Sequence, residues 1–223
     1  MCGIAGLFAR DPQAQIDASV LTRMRDAMGH RGPDGAGLWA DSGVGLSHRR
    51  LSIIDVEGSP QPMHSADGRA VIVFNGEIYN YRALREELGE LGHRFRTQGD
   101  TEVILAAWRE WGVQCLHRLD GMFAFAIYDR QTRQLFLARD RFGVKPLFTV
   151  VLPDGTFAFA SELKGLLAHP QVGRRIDPLA IEDFFAWGYV PDHRSMIAGV
   201  EKLPAGHYRL IEHGKAPSAP VEW

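Results

Sequence analysis

The sequence contains only two cysteines, Cys2 and Cys115, and they lie far apart. This disfavours a small disulfide-stabilised secreted fold and favours a reducing compartment. The formal net charge of −2 gives no basic excess that would attract nucleic acid or an anionic membrane. The longest apolar runs, such as AVIVF and MFAFAIY, are too short to span a bilayer, and no signal peptide opens the chain. We therefore expect a cytoplasmic protein without nucleic-acid or membrane partners.

The chain also lacks the spacings that mark metal and phosphate sites. Its nine histidines show no metal-ligand pattern, and no GxxxxGK loop is present, so we expect no metal site. The 223 residues suffice for a domain with a substantial core. The Pro- and Ala-rich segment KAPSAPVEW is typical of a linker. We therefore predict one domain over residues 1–205, and the end of that domain with a linker toward an absent C-terminal domain over residues 206–223.

Hydrophobic periodicity places strands on either side of a central pair of helices. Strands are predicted at CGIAGLFA, VGLSH, RLSIID and RAVIVFN, with a helix at ASVLTRMRDAM. Two helices follow, NYRALREELGELG with Asn80 as N-cap and TEVILAAWREWG opened by Asp100 or Thr101. Further strands are MFAFAIYD, QLFLARD, PLFTVV and TFAFAS, and then come the helices SELKGLLAH and DPLAIEDFFAW. This order is not a βαβ alternation, and it predicts an α+β fold of antiparallel sheets covered by helices.

A cysteine at position 2, within MCGIAGLF, is a candidate nucleophile. A thiol reacts as its thiolate, so a free cysteine with a pKa of ~8.5 needs a base at neutral pH. If Met1 is removed, Cys2 becomes the first residue, and its own α-amine can act as that base. The adjacent Gly3 permits a substrate to approach closely. The alternative is an incidental cysteine at a frayed chain start, and position 2 considered alone favours that alternative.

Three further motifs supply groups that could bind a substrate. In FNGEIYN, the Asn75 amide and the Gly76 backbone N–H would form an oxyanion hole. An ordinary Asn-Gly turn has the same sequence and is the alternative. Glu77 adds a carboxylate to this segment. Arg50 in SHRRLSIID could bind a carboxylate, although a solvated arginine is the commoner case for any single Arg. Asp100 in QGDTEVI either caps a helix or binds a cation. Together with the thiol, these groups suit an amino acid that carries a side-chain amide.

The motifs MCGIAGLF, HRGPDGAG, HRRLSIID, FNGEIYNY, GDTEVIL, LDGMFAFAIYD, ARDRFGVKPLF and FASELKGLL run in order over nearly the whole chain. This set resembles the glutaminase domain of the class II glutamine amidotransferases, which are N-terminal-nucleophile hydrolases. The combination of HRGPD, RLSI and NGEIYN is most similar to the N-terminal domain of glutamine-hydrolysing asparagine synthetase. Gly99 stands where many relatives carry Ser, and we expect little effect because Asp100 is intact.

The resemblance implies a four-layer αββα sandwich of two antiparallel sheets flanked by helices. It implies that Cys2 is the nucleophile and that Asn75 and Gly76 form the oxyanion hole. It also implies that the residues holding glutamine are Arg50, Ile53, Ile54, Asn75, Gly76, Glu77 and Asp100. The implied reaction is hydrolysis of L-glutamine to glutamate and ammonia through a γ-glutamyl thioester on the nucleophile.

In the family the ammonia passes to a synthetase domain, where ATP drives the amidation of aspartate. No SGGxDS-type loop of that domain is present in this sequence. ATP and Mg are therefore expected only for the missing domain, and no cofactor is expected for glutamine hydrolysis. The expected partners are L-glutamine and a C-terminal synthetase domain or subunit, and a homodimer is compatible with the sequence. The alternatives are a glutaminase that serves a different acceptor and a non-catalytic glutamine-binding module.

Four remaining residues receive structural interpretations. Cys115 lies between apolar residues and is predicted to be a core cysteine. The basic residues Arg139, Arg141 and Lys145 are interpreted as a solvated rim in preference to the lining of a route toward a partner domain. The segment ARDRFGVKPLF that carries them is predicted to be mainly core strand.

Overall fold

The fold is built on two six-stranded antiparallel sheets. It is known here from a computed structural model that describes residues 1–192 and 194–223. The first sheet, in the order β10-β8-β9-β1-β3-β2, contains β1 (Gly3–Phe8), β2 (Gly35–Asp41), β3 (Val44–Arg50), β8 (Phe148–Val151), β9 (Phe157–Ala160) and β10 (Glu201–Lys202). The second, in the order β12-β11-β7-β6-β5-β4, contains β4 (Met63–His64), β5 (Ala70–Ile78), β6 (Gly121–Asp129), β7 (Gln134–Arg139), β11 (His207–Glu212) and β12 (Val221–Glu222).

Helices cover the outer faces of the sheets. Helices α1 (Ala18–Asp26) and α4 (Leu163–Leu167) pack on the first sheet, and α2 (Tyr81–Glu90) and α3 (Asp100–Trp111) pack on the second. Helix α5 (Pro178–Trp187) follows them along the chain. The predicted four-layer αββα sandwich is therefore confirmed.

Strand β5 shows why the sequence adopts this layering. Its Val71 and Val73 belong to the core between the two sheets, whereas Ile72 and Phe74 belong to the core beneath α2 and α3. Side chains alternate across a strand, so an uninterrupted apolar run such as AVIVF suits a strand that is buried on both faces. The run therefore serves two cores at once. Cys115 is buried in the core beneath the helices, as predicted.

Helix ends follow local side-chain chemistry in two cases and not in a third. Asp17 caps α1, because its carboxylate accepts the N–H of Ser19 at 2.8 Å. Asp177 caps α5 in the same way, next to a proline at the first helical position. Asn80 occupies the predicted N-cap position of α2, but its side chain makes no capping bond. It bonds the Arg118 carbonyl and the Asp120 N–H instead, so it joins two loops.

Two predicted strands are loops in the structure. Strand β3 ends at Arg50, and the segment LSIID that follows it is irregular, because its carbonyls bond the Arg50 side chain and not a neighbouring strand. The segment from 140 to 147 is likewise a loop after β7, bonded around the Asp140 carboxylate. In both segments the apolar residues predict a strand, but hydrogen bonds from side chains to the backbone determine the conformation.

The weak sequence signal after Trp187 concealed structure that belongs to the sandwich. Strand β11 pairs with β7, and the Trp223 indole stacks on Phe123 with ring centroids 5.8 Å apart. The division of the chain at residue 205 remains a prediction, but β11 on its far side is part of the second sheet. Among the described residues, no helix is long and apolar enough to cross a membrane.

Candidate active site

A cavity of about 270 Å³ lies where the start of β1 meets the end of β5. All eight site residues predicted from the sequence line it, and these are Cys2, Arg50, Ile53, Ile54, Asn75, Gly76, Glu77 and Asp100. They come from four separate parts of the chain, which the sandwich brings together. A volume of this size suits a small ligand such as a single amino acid.

The Cys2 thiol is half-buried and touches the loop after β3. Its Sγ accepts the Leu51 N–H at 3.4 Å and lies 3.6 Å from the Leu51 carbonyl. Burial raises the pKa of the Cys2 thiol, and the Leu51 N–H, the terminal ammonium and two guanidinium groups oppose that shift. Because burial dominates, the resting thiol is protonated at neutral pH. A base is therefore needed to generate the thiolate.

Arg31 holds the backbone of the cysteine. Its Nε donates to the Cys2 carbonyl at 2.7 Å, and its Nη1 donates to Glu162 at 2.8 Å. The guanidinium is almost completely buried between them. Its planar fork can bond in two directions at once, so it ties the chain start to the turn before α4. Sequence reasoning missed this role, although both residues lie in motifs, HRGPD and FASEL, that signalled the family.

The end of β5 presents two hydrogen-bond donors to the cavity. The Asn75 side chain is buried, and its Nδ2 has no partner among the described residues. In an antiparallel ladder, backbone groups point alternately toward and away from the paired strand. The Phe74 N–H bonds the Gln61 side chain and the Ile78 N–H bonds Asp100, so both point away from β6. The Gly76 N–H lies between them and points the same way, into the cavity.

Glycine at position 76 is required by packing. A Cβ there would lie 2.3 Å from the Met122 carbonyl oxygen and 2.7 Å from the Phe123 Cα, both of which are backbone atoms of β6. Neither atom can move without shifting the strand. A side chain at position 76 would therefore displace the Gly76 N–H and the neighbouring Asn75 amide.

Asp100 and Glu77 make one side of the cavity acidic. Asp100 is the first residue of α3, and its Oδ2 accepts the Ile78 N–H at 3.0 Å. Burial raises the pKa of Asp100 to about 6, and the nearby Glu77 carboxylate adds to the rise. Two carboxylates in a confined space favour a cation between them, because the cation relieves their repulsion.

Arg50 shapes the part of the cavity formed by the loop after β3. Its guanidinium donates to the carbonyls of Ile54, Asp55 and Val56, and so it wraps the loop after β3 around itself. This places Ile53 and Ile54 on the cavity. The guanidinium also lines the cavity and carries the positive charge that a carboxylate would meet.

Of the three basic residues interpreted as a solvated rim, Arg141 in the loop after β7 is exposed, as predicted. Arg139 and Lys145 are buried, and Lys145 lines the cavity, which corrects the interpretation made from the sequence. The reason is that Arg139 donates to the carbonyls of Gly143 and Lys145 and folds the loop inward. The described residues contain no group of three His, Cys, Asp or Glu side chains arranged to hold a metal ion.

Comparison with known protein families agrees with this geometry. A family model described as a glutamine amidotransferase domain matches residues 1–221. The chain belongs to this family. The similar solved structures include a glutamine phosphoribosylpyrophosphate amidotransferase from Bacillus subtilis, with a TM-score of 0.66 and 20% identity over 95% of this chain and 47% of that one. At that identity the likeness shows a shared fold.

Several curated relatives of this glutamine amidotransferase domain are named as synthetases. Asparagine synthetase [glutamine-hydrolyzing] 1 of Bacillus subtilis is 42% identical over 92% of this chain and 33% of its own length. Asparagine synthetase B [glutamine-hydrolyzing] of Escherichia coli is 40% identical over 75% of this chain and 30% of its own length. The domain therefore spans about a third of the length of these relatives, and that third corresponds to their glutaminase portion.

Proposed function

We propose that this domain hydrolyses L-glutamine to glutamate and ammonia through a γ-glutamyl thioester on Cys2. The observation that carries the proposal is the convergence on one cavity of a thiol, the Asn75 amide beside Gly76, an arginine and two carboxylates. A non-catalytic glutamine-binding module would need the charged groups but not an oxyanion hole beside a thiol. This favours catalysis over binding alone.

The charged walls orient the substrate. The α-carboxylate of glutamine binds Arg50, and the α-ammonium binds between Asp100 and Glu77. These two contacts point the side-chain carboxamide at Cys2 and at the donors of Asn75 and Gly76. Holding reactants in this way removes much of the entropic barrier to their reaction.

Acylation begins when the α-amine of a processed chain takes the Cys2 proton and the thiolate attacks the carboxamide carbon. The carbonyl oxygen becomes negative, and the Asn75 Nδ2 and the Gly76 N–H stabilise it. The amine then gives its proton to the departing ammonia, and the thioester remains. In the second half, the same amine takes a proton from a water, the water oxygen bonds the thioester carbon, and the C–S bond breaks. The amine returns the proton to the Cys2 thiolate, and glutamate forms.

Removal of Met1 is a condition of this mechanism. The described chain includes Met1, whose side chain lines the cavity and whose Sδ lies 3.8 Å from the Arg31 guanidinium. In that form the terminal amine belongs to Met1 and lies one residue beyond the thiol. The processed form would free this volume and place the base on Cys2 itself.

The fate of the ammonia is proposed from the relatives. We propose that a synthetase portion of a longer protein, or a separate subunit, receives it and amidates aspartate with ATP and Mg, since the matched relatives are named glutamine-hydrolysing asparagine synthetases. The glutaminase half needs no cofactor in this scheme. A different acceptor is the alternative, and assays of candidate acceptors with the longer protein would distinguish the two.

Intact mass spectrometry with a glutamine-analogue electrophile, diazo-oxo-norleucine, tests the glutaminase step. We expect loss of Met1 and one adduct on Cys2, together with turnover of glutamine that is absent in Cys2→Ala. A processed and folded chain that takes no adduct would contradict the proposal. If Met1 is retained, the same experiment is repeated after its removal with methionine aminopeptidase.

A further inference from the structure

Lys145 differs from the other lysines of this chain. The sequence contains four, and Lys164, Lys202 and Lys215 each lie within ion-pair distance of a carboxylate. Within residues 1–192 and 194–223, Lys145 is the exception, with no carboxylate within ion-pair distance of its Nζ, although it is only 6% exposed. Its side chain lines the same cavity as Cys2. Its ammonium is therefore available to pair with an anionic group of a ligand in this cavity.

The surrounding backbone fixes this lysine in place. The Asp140 carboxylate accepts the N–H groups of Phe142 at 3.1 Å, Val144 at 2.9 Å and Lys145 at 3.0 Å. Arg139 donates to the Lys145 carbonyl at 2.8 Å. The position of Lys145 is therefore set by a loop whose conformation depends on the buried side chains of Arg139 and Asp140.

The register of the second sheet places the lysine beside the oxyanion donors. The Asp140 Oδ2 that accepts the Lys145 N–H also accepts the Phe123 N–H at 3.1 Å. Phe123 is paired directly with Gly76 across β5 and β6. Lys145 therefore reaches the cavity from the side of β5 on which β6 lies. The acidic wall of Asp100 lies on the other edge of β5, because it bonds an N–H that points away from β6.

The proposed reaction creates an anion at this place. Glutamine presents a neutral carboxamide, and hydrolysis replaces its C–N bond by a C–O bond to leave a γ-carboxylate. The other cations near the thiol already have roles, since Arg31 bonds Glu162 and Arg50 binds the α-carboxylate in the proposed scheme. Lys145 has all three N–H donors available.

We propose that the Lys145 ammonium binds the γ-carboxylate of glutamate, so that the cavity holds the anionic product more tightly than the neutral substrate. One carboxylate oxygen occupies the position between Asn75 and Gly76, and the second oxygen, which comes from water, bonds Lys145. This inference rests on the proposed glutaminase function and adds to it a residue that determines the affinity for product.

Binding measurements without turnover test this inference. Titration calorimetry gives the Kd of L-glutamine and of L-glutamate for the Cys2→Ala variant, alone and combined with Lys145→Met. We expect the second substitution to weaken glutamate binding about 10-fold or more, since a charge-assisted bond is lost, and to change the Kd of glutamine less than 3-fold. Lys145→Arg should restore most of the glutamate affinity. The exposed Lys215→Met is the matched control and should change neither Kd.

The outcomes separate this inference from the proposed function. Equal weakening of both ligands, or no change in either, would overturn the role of Lys145 while leaving the glutaminase proposal intact. Binding of neither ligand to a folded Cys2→Ala variant would overturn both. Thermal unfolding reports whether Lys145→Met folds. If Lys145→Met does not fold, the test uses Lys145→Gln and Lys145→Arg. The Ki of glutamate against glutamine turnover is measured in both, and we expect it to be raised in Lys145→Gln only.

Discussion

The Arg31 guanidinium donates a 2.7 Å hydrogen bond to the carbonyl of Cys2, and Glu162 fixes that guanidinium from the other side at 2.8 Å. The backbone of the candidate nucleophile is therefore positioned by residues that lie 29 and 160 positions further along the chain. A chain start usually frays, and this pair of bonds removes that freedom.

The first prediction concerns this anchor. Arg31→Met should lower kcat for glutamine hydrolysis at least about 10-fold, because a displaced nucleophile loses its alignment with the carboxamide. Glu162→Gln should have a smaller effect, since the Arg31 bond to the Cys2 carbonyl survives. A double-mutant cycle measures the coupling between the two side chains. Strictly additive effects of the two substitutions would show that Glu162 does not act through Arg31.

The second prediction concerns the oxyanion donors. Asn75→Ala should lower kcat about 100- to 1000-fold with little change in KM, as expected when one donor to the developing charge is removed. The Asn75 Nδ2 makes no hydrogen bond in the described structure, so truncation breaks none from that atom. A kinetic assay combined with thermal unfolding checks both parts. A rise in KM at constant kcat would assign Asn75 to ground-state binding instead.

The third prediction compares two glycines. Gly76→Ala should destabilise the fold by about 1–3 kcal/mol, because its Cβ would overlap the backbone of β6. Gly89→Ala in α2 meets no atom within 4 Å and should stabilise by roughly 0.5–1 kcal/mol through helix propensity. Urea unfolding measures both. Equal effects at the two positions would contradict the packing argument.

The fourth prediction concerns the pH dependence of stability. The folded pKa of Asp100 is about 6, above its ordinary 3.8, so the folded state binds more protons and stability falls as pH rises from about 4 to 6. The buried His48, whose pKa is lowered to about 4, has the opposite sign, and its contribution is lost as pH falls from 6.5 to 4. Asp100→Asn removes the first effect alone. Relative to wild type, its stability should therefore increase across this window, by on the order of 3 kcal/mol at most. Parallel stability curves for the two proteins would refute the assignment.

The fifth prediction concerns the effect of Asp100 protonation on glutamine binding. An ionised Asp100 is needed to hold the α-ammonium of glutamine, so KM should rise as pH falls below about 6. In Asp100→Asn, the rise of KM below pH 6 should be absent, and KM should be higher than in the wild type at every pH. If KM still rises below pH 6 in the variant, a group other than Asp100 is responsible for the pH dependence.

Much of the architecture could be predicted because it depends on local patterns. Alternating and continuous apolar runs located β1, β5, β6 and β7, and turn residues located their ends. The predictions failed where a side chain competes for backbone groups. Arg50 takes the carbonyls of the segment after β3, and Asp140 takes the N–H groups of the loop after β7, so neither segment pairs as a strand. Hydrophobic periodicity contains no information about such bonds.

The sequence by itself determined the family, the layered α+β fold and the eight residues that line the cavity, because ordered motifs and periodic apolar positions are properties of the linear chain. Only the tertiary structure decided that Arg31 anchors Cys2, that the Gly76 N–H faces the cavity, and that Lys145 is buried without a counter-ion. The physical reason is that burial and charge pairing depend on which distant segments pack together. The sequence alone does not distinguish a basic residue that faces solvent from one that pairs with a carboxylate or lines a cavity.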